Sequence, residues 1–120
     1  MNDERLLTEA ELEVMTTLWD LGEGTVRDVM GRLPPERAYT TVSTLLRILE
    51  QKGFVTPRLE GRRHVYVPAV PRDGYERRGL KHLLARLFRG DAVTLVRHLV
   101  DADLSDEELR ELQRLVDAKL

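Results

Sequence analysis

Apolar and polar positions follow a helical rhythm through the first third of the chain. Thr8-Glu-Ala-Glu11 has the spacing of a capping box, in which the Thr8 hydroxyl accepts a backbone N–H and Glu11 reaches back. It opens a predicted helix carrying Leu12, Met15, Leu18 and Trp19 at helical spacing, closing near Gly22. Thr25 caps a second, short helix with Val26, Val29, Met30 and Leu33 facing inward, and Pro34-Pro35 stops it. In a third predicted helix, Ala38, Val42, Leu45, Leu46 and Leu49 form one stripe. Thr40, Ser43, Thr44, Arg47 and Gln51 form the opposite one, and Gly53 stands where a left-handed C-terminal residue is expected.

After Gly53 the pattern changes. Phe54, Val55, Val65, Tyr66 and Val67 are strand formers, Glu60-Gly61 supplies a turn, and Pro57 restricts its strand to an edge. The expected element is a β-hairpin over residues 54 to 68, with Arg58, Arg62 and Arg63 near its tip. "PAVPRDG" (68 to 74) reads as a linker. Beyond it the helical rhythm returns: Leu80, Leu83, Leu84, Leu87 and Phe88 before Gly90, then Val93, Val96, Leu99 and Val100 behind an Asp91 cap. A second capping box, Ser105-Asp-Glu-Glu108, opens a last helix with Leu109, Leu112, Leu115 and Val116.

The predicted fold class is mainly α with a small β-hairpin wing. A winged helix-turn-helix over residues 1–71 precedes a helical region over 72–120. Three short helices and a hairpin also fit an α+β domain with no role on DNA, and element order does not choose between them.

The polar stripe of the third helix carries more information. Thr40, Thr41, Ser43 and Thr44 have lower helix propensity than the Glu, Lys or Ala expected on a merely solvated face. They supply short hydroxyls and methyls that can approach base edges, and Arg47, one turn on, can fork onto guanine or meet a phosphate. Arg62 and Arg63 suit phosphate or minor-groove contact, and equally suit a solvated turn.

Charge distribution supports a local anion-binding face. The net charge is −2, which disfavours indiscriminate coating of nucleic acid. Residues 37 to 64, however, contain Arg37, Arg47, Lys52, Arg58, Arg62 and Arg63 against Glu50 and Glu60 alone. The absence of cysteine removes disulfides and thiolate metal sites, and His64, His82 and His98 lie in different elements without metal-ligand spacing. No cofactor or metal is expected, and no catalytic motif is present, so an enzyme is not expected. No apolar run approaches a membrane span, and "MNDERLL" is too polar for a signal peptide, so the expected location is the cytoplasm.

The C-terminal helices carry Leu/Val stripes and few aromatics, too thin a core for about 45 residues to fold alone. Pairing with a second copy would supply the missing apolar area; packing back on the N-terminal region is the alternative. The residues expected at such a dimer interface are Leu80, Leu83, Leu84, Leu87, Val96, Leu99, Leu109, Leu112 and Val116.

"LTEAELEVMTTLWDLGEGTVRDVMGRL", "AYTTVSTLLRILEQKGFV" and "EGRRHVYVP" resemble, in order across residues 7 to 68, the penicillinase-repressor (BlaI/MecI-type) family of bacterial transcriptional repressors. A weaker likeness continues through "LVRHLVDADLSDEELRELQRLVD". The resemblance implies a homodimer that binds double-stranded DNA at a palindromic operator. Its DNA-binding residues would be Thr40, Thr41, Ser43, Thr44 and Arg47 on the reading helix and Arg62 and Arg63 on the wing. It also implies dimerisation through entwined C-terminal helices, and relief through a signal-activated protease. The family's cleaved Asn-Phe pair aligns with His98-Leu99, the position where the resemblance would put cleavage, and this chain departs there from the residues that the family's protease cuts. The cysteine cluster of the copper-responsive relatives is absent. Two other functions are consistent with this fold: a ligand-responsive regulator and a protein-interaction scaffold.

Overall fold

A computed structural model describes residues 6–102 and 104–120. The order is α1 (Glu9–Leu21), α2 (Val26–Met30), α3 (Tyr39–Gln51), β1 (Val55–Glu60), β2 (Arg63–Pro68), α4 (Arg72–Leu87), α5 (Ala92–Asp101) and α6 (Asp106–Lys119). The chain is mainly α with one antiparallel hairpin, and it forms two compact units, dividing between Gly79 and Leu80.

In the first unit, both capping boxes ahead of α1 and α2 are formed. Thr8 accepts from Glu11 N at 3.2 Å while Glu11 Oε1 accepts from Thr8 N at 2.9 Å. Thr25 and Asp28 repeat the exchange ahead of α2. The C-terminal end of α3 is a Schellman motif: Phe54 N donates to Leu49 O at 2.8 Å and Gly53 N to Glu50 O at 3.0 Å. Gly53 takes φ 83°, the left-handed conformation that its position requires.

The core of this unit gathers Val14, Met15 and Leu18 of α1, Val26 and Val29 of α2, Val42, Leu46 and Leu49 of α3, with Phe54, Val55 and Tyr66. The apolar stripe of α3 is thus buried at Val42, Leu46 and Leu49, whereas Ala38, its N-cap, is exposed. Leu12, which shares the helical spacing of Met15 and Leu18 in the sequence, lies on the surface; the inward row of α1 is Glu11, Val14, Met15 and Leu18.

Glu11 is 5% exposed and makes a 2.7 Å ion pair with Lys52, at the C-terminal end of α3. Burial pushes its carboxyl up, but the Lys52 hydrogen bond, the Thr8 backbone N–H and the Lys52 charge outweigh this and hold it below the usual carboxylate range. One buried carboxylate therefore both caps α1 and ties its start to the end of α3.

The border expected at 71/72 falls at the start of α4, ahead of Tyr75. That ring is buried with the first core, in contact with Trp19 and Phe54, and its hydroxyl accepts from Leu7 N at 2.9 Å. Trp19 Nε1 donates to Val70 O at 2.9 Å, fixing the segment after the hairpin against α1.

In the second unit, Arg89 (φ 50°) and Gly90 (φ 85°) follow α4. Asp91 accepts from Thr94 N, capping α5, and Ser105 with Glu108 forms the expected box ahead of α6. No residue of α5 or α6 is buried. Leu80, Leu83, Leu87, Val96, Leu99 and Val116 are each more than 40% exposed, and Leu84, Leu109 and Leu112 are half-buried.

Candidate nucleic-acid interface

Because α3 buries Val42, Leu46 and Leu49, its opposite side must face outward. Thr40, Thr41, Thr44 and Arg47 are exposed and Ser43 is half-buried. None of these side chains caps the helix, whose N-cap Ala38 has no side-chain hydrogen bond. The low-propensity threonines therefore do no capping work, and their hydroxyls stand on the surface at the N-terminal half of the helix.

The hairpin reaches out beside α3. Val55 pairs with Pro68 at its base and Glu60 with Arg63 at its tip, leaving Gly61 and Arg62 as a two-residue loop. Gly61 has φ 64° while Arg62 does not, the arrangement of a type II′ turn, which matches the natural strand twist. At the base, Gly24 N donates to Tyr66 O at 3.1 Å and Tyr66 N to Gly24 O at 2.7 Å, attaching the α1–α2 loop to β2 as a one-residue third strand.

Between α2, α3 and the wing lies a cleft of about 620 Å³. It brings together Ser43 and Arg47 from α3 with Arg62 and Arg63 from the wing; Thr40, Thr41 and Thr44 are not among its lining residues. Arg27, Tyr39 and His64 are among the lining residues that the sequence reading did not assign to the site. The Arg27 guanidinium lies 5.1 Å from the Tyr39 ring centroid, a cation–π contact joining α2 to the first turn of α3. An aromatic at the first position of α3, beside the hydroxyl stripe, was the available signal for Tyr39; the partnership with Arg27, twelve residues away, had none.

The cleft is not uniformly cationic, since Asp28 and Glu50 also line it. Hydrogen bonds from the Thr25 backbone N–H and hydroxyl, with Arg63 adding its charge, hold the Asp28 carboxyl below its ordinary value. That carboxylate is occupied as a cap. Burial pushes the Tyr66 phenol up, with Glu50 adding to the effect and Arg47 opposing it.

The six cations of residues 37 to 64 divide cleanly. Arg37 pairs with Glu13 at 2.8 Å, Lys52 with Glu11, and Arg58 with Glu23 at 2.7 Å and Glu60 at 3.0 Å. Arg58, expected near the tip, instead sits opposite Val65 in mid-strand and is held there. Arg47, Arg62 and Arg63 make no ion pair among the described residues, and all three are exposed on the one cleft.

A model of the penicillinase repressor family matches residues 7–118. The chain belongs to that family. An uncharacterised 16.5 kDa protein from the ptsI 3′ region of Latilactobacillus sakei is 33% identical over 116 residues, covering 94% of this chain and 80% of that protein. The DNA-binding domain of the repressor BlaI superposes with a TM-score of 0.52 at 31% identity, over 57% of this chain and 87% of that one. BlaI of Bacillus licheniformis, in its monomeric form with the blaP half-operator, gives 0.50 at 30% identity, over 59% and 89%.

This penicillinase repressor family member is a DNA-binding transcriptional repressor and not an enzyme. Among the described residues, no helix is long and apolar enough to cross a membrane.

Proposed function

We propose that this repressor acts as a cytoplasmic homodimer on a palindromic operator. In this reading, α3 enters the major groove with Thr40, Thr41, Ser43, Thr44 and Arg47 toward base edges. Arg62 and Arg63 take phosphate or the minor groove beside it. The observation that carries the reading is the sorting of cations: those that brace the fold are ion-paired, whereas Arg47, Arg62 and Arg63 make no ion pair among the described residues and line one cleft. Three arginines gathered on one face, in a chain of net charge −2, form a local anion site within an otherwise acidic molecule.

Dimerisation is assigned to the second unit, with DNA binding in the first. Leu80, Leu83, Leu84, Leu87, Val96, Leu99, Leu109, Leu112 and Val116 supply the apolar area, at roughly 25 cal/mol per Å² covered. The support is that α5 and α6 bury no residue within one chain, which leaves a unit of this size without a core of its own. A twofold dimer presents two reading helices about 34 Å apart, as a palindrome requires.

Relief is assigned to a signal that disrupts this unit, with cleavage by a signal-activated protease at His98-Leu99 as one route. The pair lies inside α5, so that helix must unwind before the bond can enter a protease.

A mobility-shift titration of the full chain on the duplex from its own upstream region tests the reading. Discrete retardation, competed poorly by random DNA and weakening steeply with salt, is expected. Absence of a specific complex even at low salt would overturn it and leave the scaffold alternative.

A further inference from the structure

The outer half of the wing has little to hold it in place. Its base is anchored by the buried Val55, Val65 and Tyr66 and by the Gly24–Tyr66 bridge. Beyond Val65, Leu59, Glu60, Gly61, Arg62, Arg63 and His64 are all exposed. An isolated two-stranded ribbon is marginal in water and twists easily. The hairpin register puts the Gly61-Arg62 turn about three residues, roughly 10 Å, beyond Arg58, so a swing of about 10° at Arg58 displaces the tip by about 1.7 Å. That exceeds the range within which a hydrogen bond to a phosphate survives.

One hydrogen-bonded side-chain tie joins this outer hairpin to the rest of the first unit among the described residues. Arg58 Nη1 donates to Glu23 Oε1 at 3.1 Å and Nη2 to Glu23 Oε2 at 2.7 Å, a two-pronged fork that fixes direction as well as distance. Glu60 accepts from the same Nη2 at 3.0 Å and so holds the guanidinium from the strand side. Glu23 stands beside Gly24, whose backbone bridges Tyr66. Two contacts from one loop, a backbone bridge at the base and a fork farther out, therefore set the inclination of the wing.

We propose that Glu23 is a positioning residue for operator binding: through Arg58 it sets where Arg62 and Arg63 stand relative to α3. The proposal rests on the DNA-binding reading of the cleft. Glu23 and Arg58 are each about half exposed, and exposed ion pairs add little to stability, so the fork acts through geometry.

The sign of one substitution separates this role from simple electrostatics. Glu23→Gln removes a negative charge near the DNA face and frees Arg58, and both changes alone would tighten DNA binding. If Glu23 positions the wing, binding weakens instead. The probe is the duplex that the wild-type full chain enriches from a randomised pool, followed by fluorescence anisotropy.

Glu23→Gln is expected to weaken binding about five- to tenfold and to lower the log–log salt slope by about 1 to 2, the share of one or two wing phosphates. In an Arg62→Ala, Arg63→Ala background the same substitution is expected to change affinity less than about twofold, because neighbours acting as a unit are non-additive. Glu23→Asp, with the charge on a shorter arm, should fall between wild type and Glu23→Gln. Unchanged or tighter binding by Glu23→Gln, or an undiminished loss in the wing-deficient background, would overturn the proposal. If the wild type enriches no duplex, the DNA-binding reading falls, and the proposal with it.

Discussion

Glu11→Gln isolates the buried ion pair between α1 and α3. Glutamine can still serve the capping box, so the substitution removes the charge while leaving the cap. A hydrogen bond to a charged group contributes about 1.5–3 kcal/mol, and breaking a fully buried pair costs about 3–5 kcal/mol. Lys52 retains 17% side-chain exposure and can shift its ammonium toward water, which discounts the upper figure. A loss of about 2 kcal/mol is expected at pH 7.

Trp19 is the single tryptophan and packs in the first core, so its fluorescence in a urea titration of the full chain reports that unit. A midpoint shift of roughly 1–2 M is expected for a small domain. The pH dependence has a definite sign. Glu11 has a folded-state pKa below its ordinary value, so the pair's stabilisation is fully present above the unfolded value of about 4.3 and is lost as pH falls through the folded value. The gap between wild type and Glu11→Gln should therefore narrow below about pH 4. A variant as stable as wild type at pH 7, or a gap that does not narrow in acid, would refute the role given to this pair.

Three further outcomes are expected. Arg47→Ala should weaken binding to the selected duplex by about 1–3 kcal/mol and to random DNA much less, measured by anisotropy; equal losses would reduce Arg47 to a phosphate contact. Leu83→Asp or Leu99→Asp should convert dimers to monomers in sedimentation equilibrium, and a persisting dimer would remove those residues from the interface. Tyr75→Phe deletes the hydroxyl that accepts from Leu7 N and should lower the Trp19-reported stability by about 1 kcal/mol; no change would mean that water replaces the bond at no cost.

Much of this arrangement is local and was legible in the residues themselves. The Thr8/Glu11 and Ser105/Glu108 boxes are formed, Gly53 takes its left-handed conformation, and the apolar face of α3 is buried at Val42, Leu46 and Leu49. Those features depend on spacing within one element. The misplacements arise from partners far apart in sequence. Leu12 gave way to an inward row containing Glu11 because Lys52, 41 residues on, supplies the counter-charge. Arg58 was placed at the tip because its partner Glu23 lies 35 residues away in another loop. Tyr75 follows a segment that reads as a linker, yet Trp19 and Leu7 draw it into the first core. Charge counting located the basic middle of the chain but could not show that Arg37, Lys52 and Arg58 are ion-paired within the fold while Arg47, Arg62 and Arg63 make no ion pair among the described residues.

The proposed DNA surface is the hydroxyl face of α3 together with the wing arginines. Amide chemical-shift mapping of the full-length ¹⁵N-labelled protein against the selected duplex tests it most directly. Perturbations concentrated on residues 39–47 and 61–64, with α5 and α6 unmoved, are predicted. Perturbations centred on α4 to α6, with residues 40–47 unchanged, would contradict it.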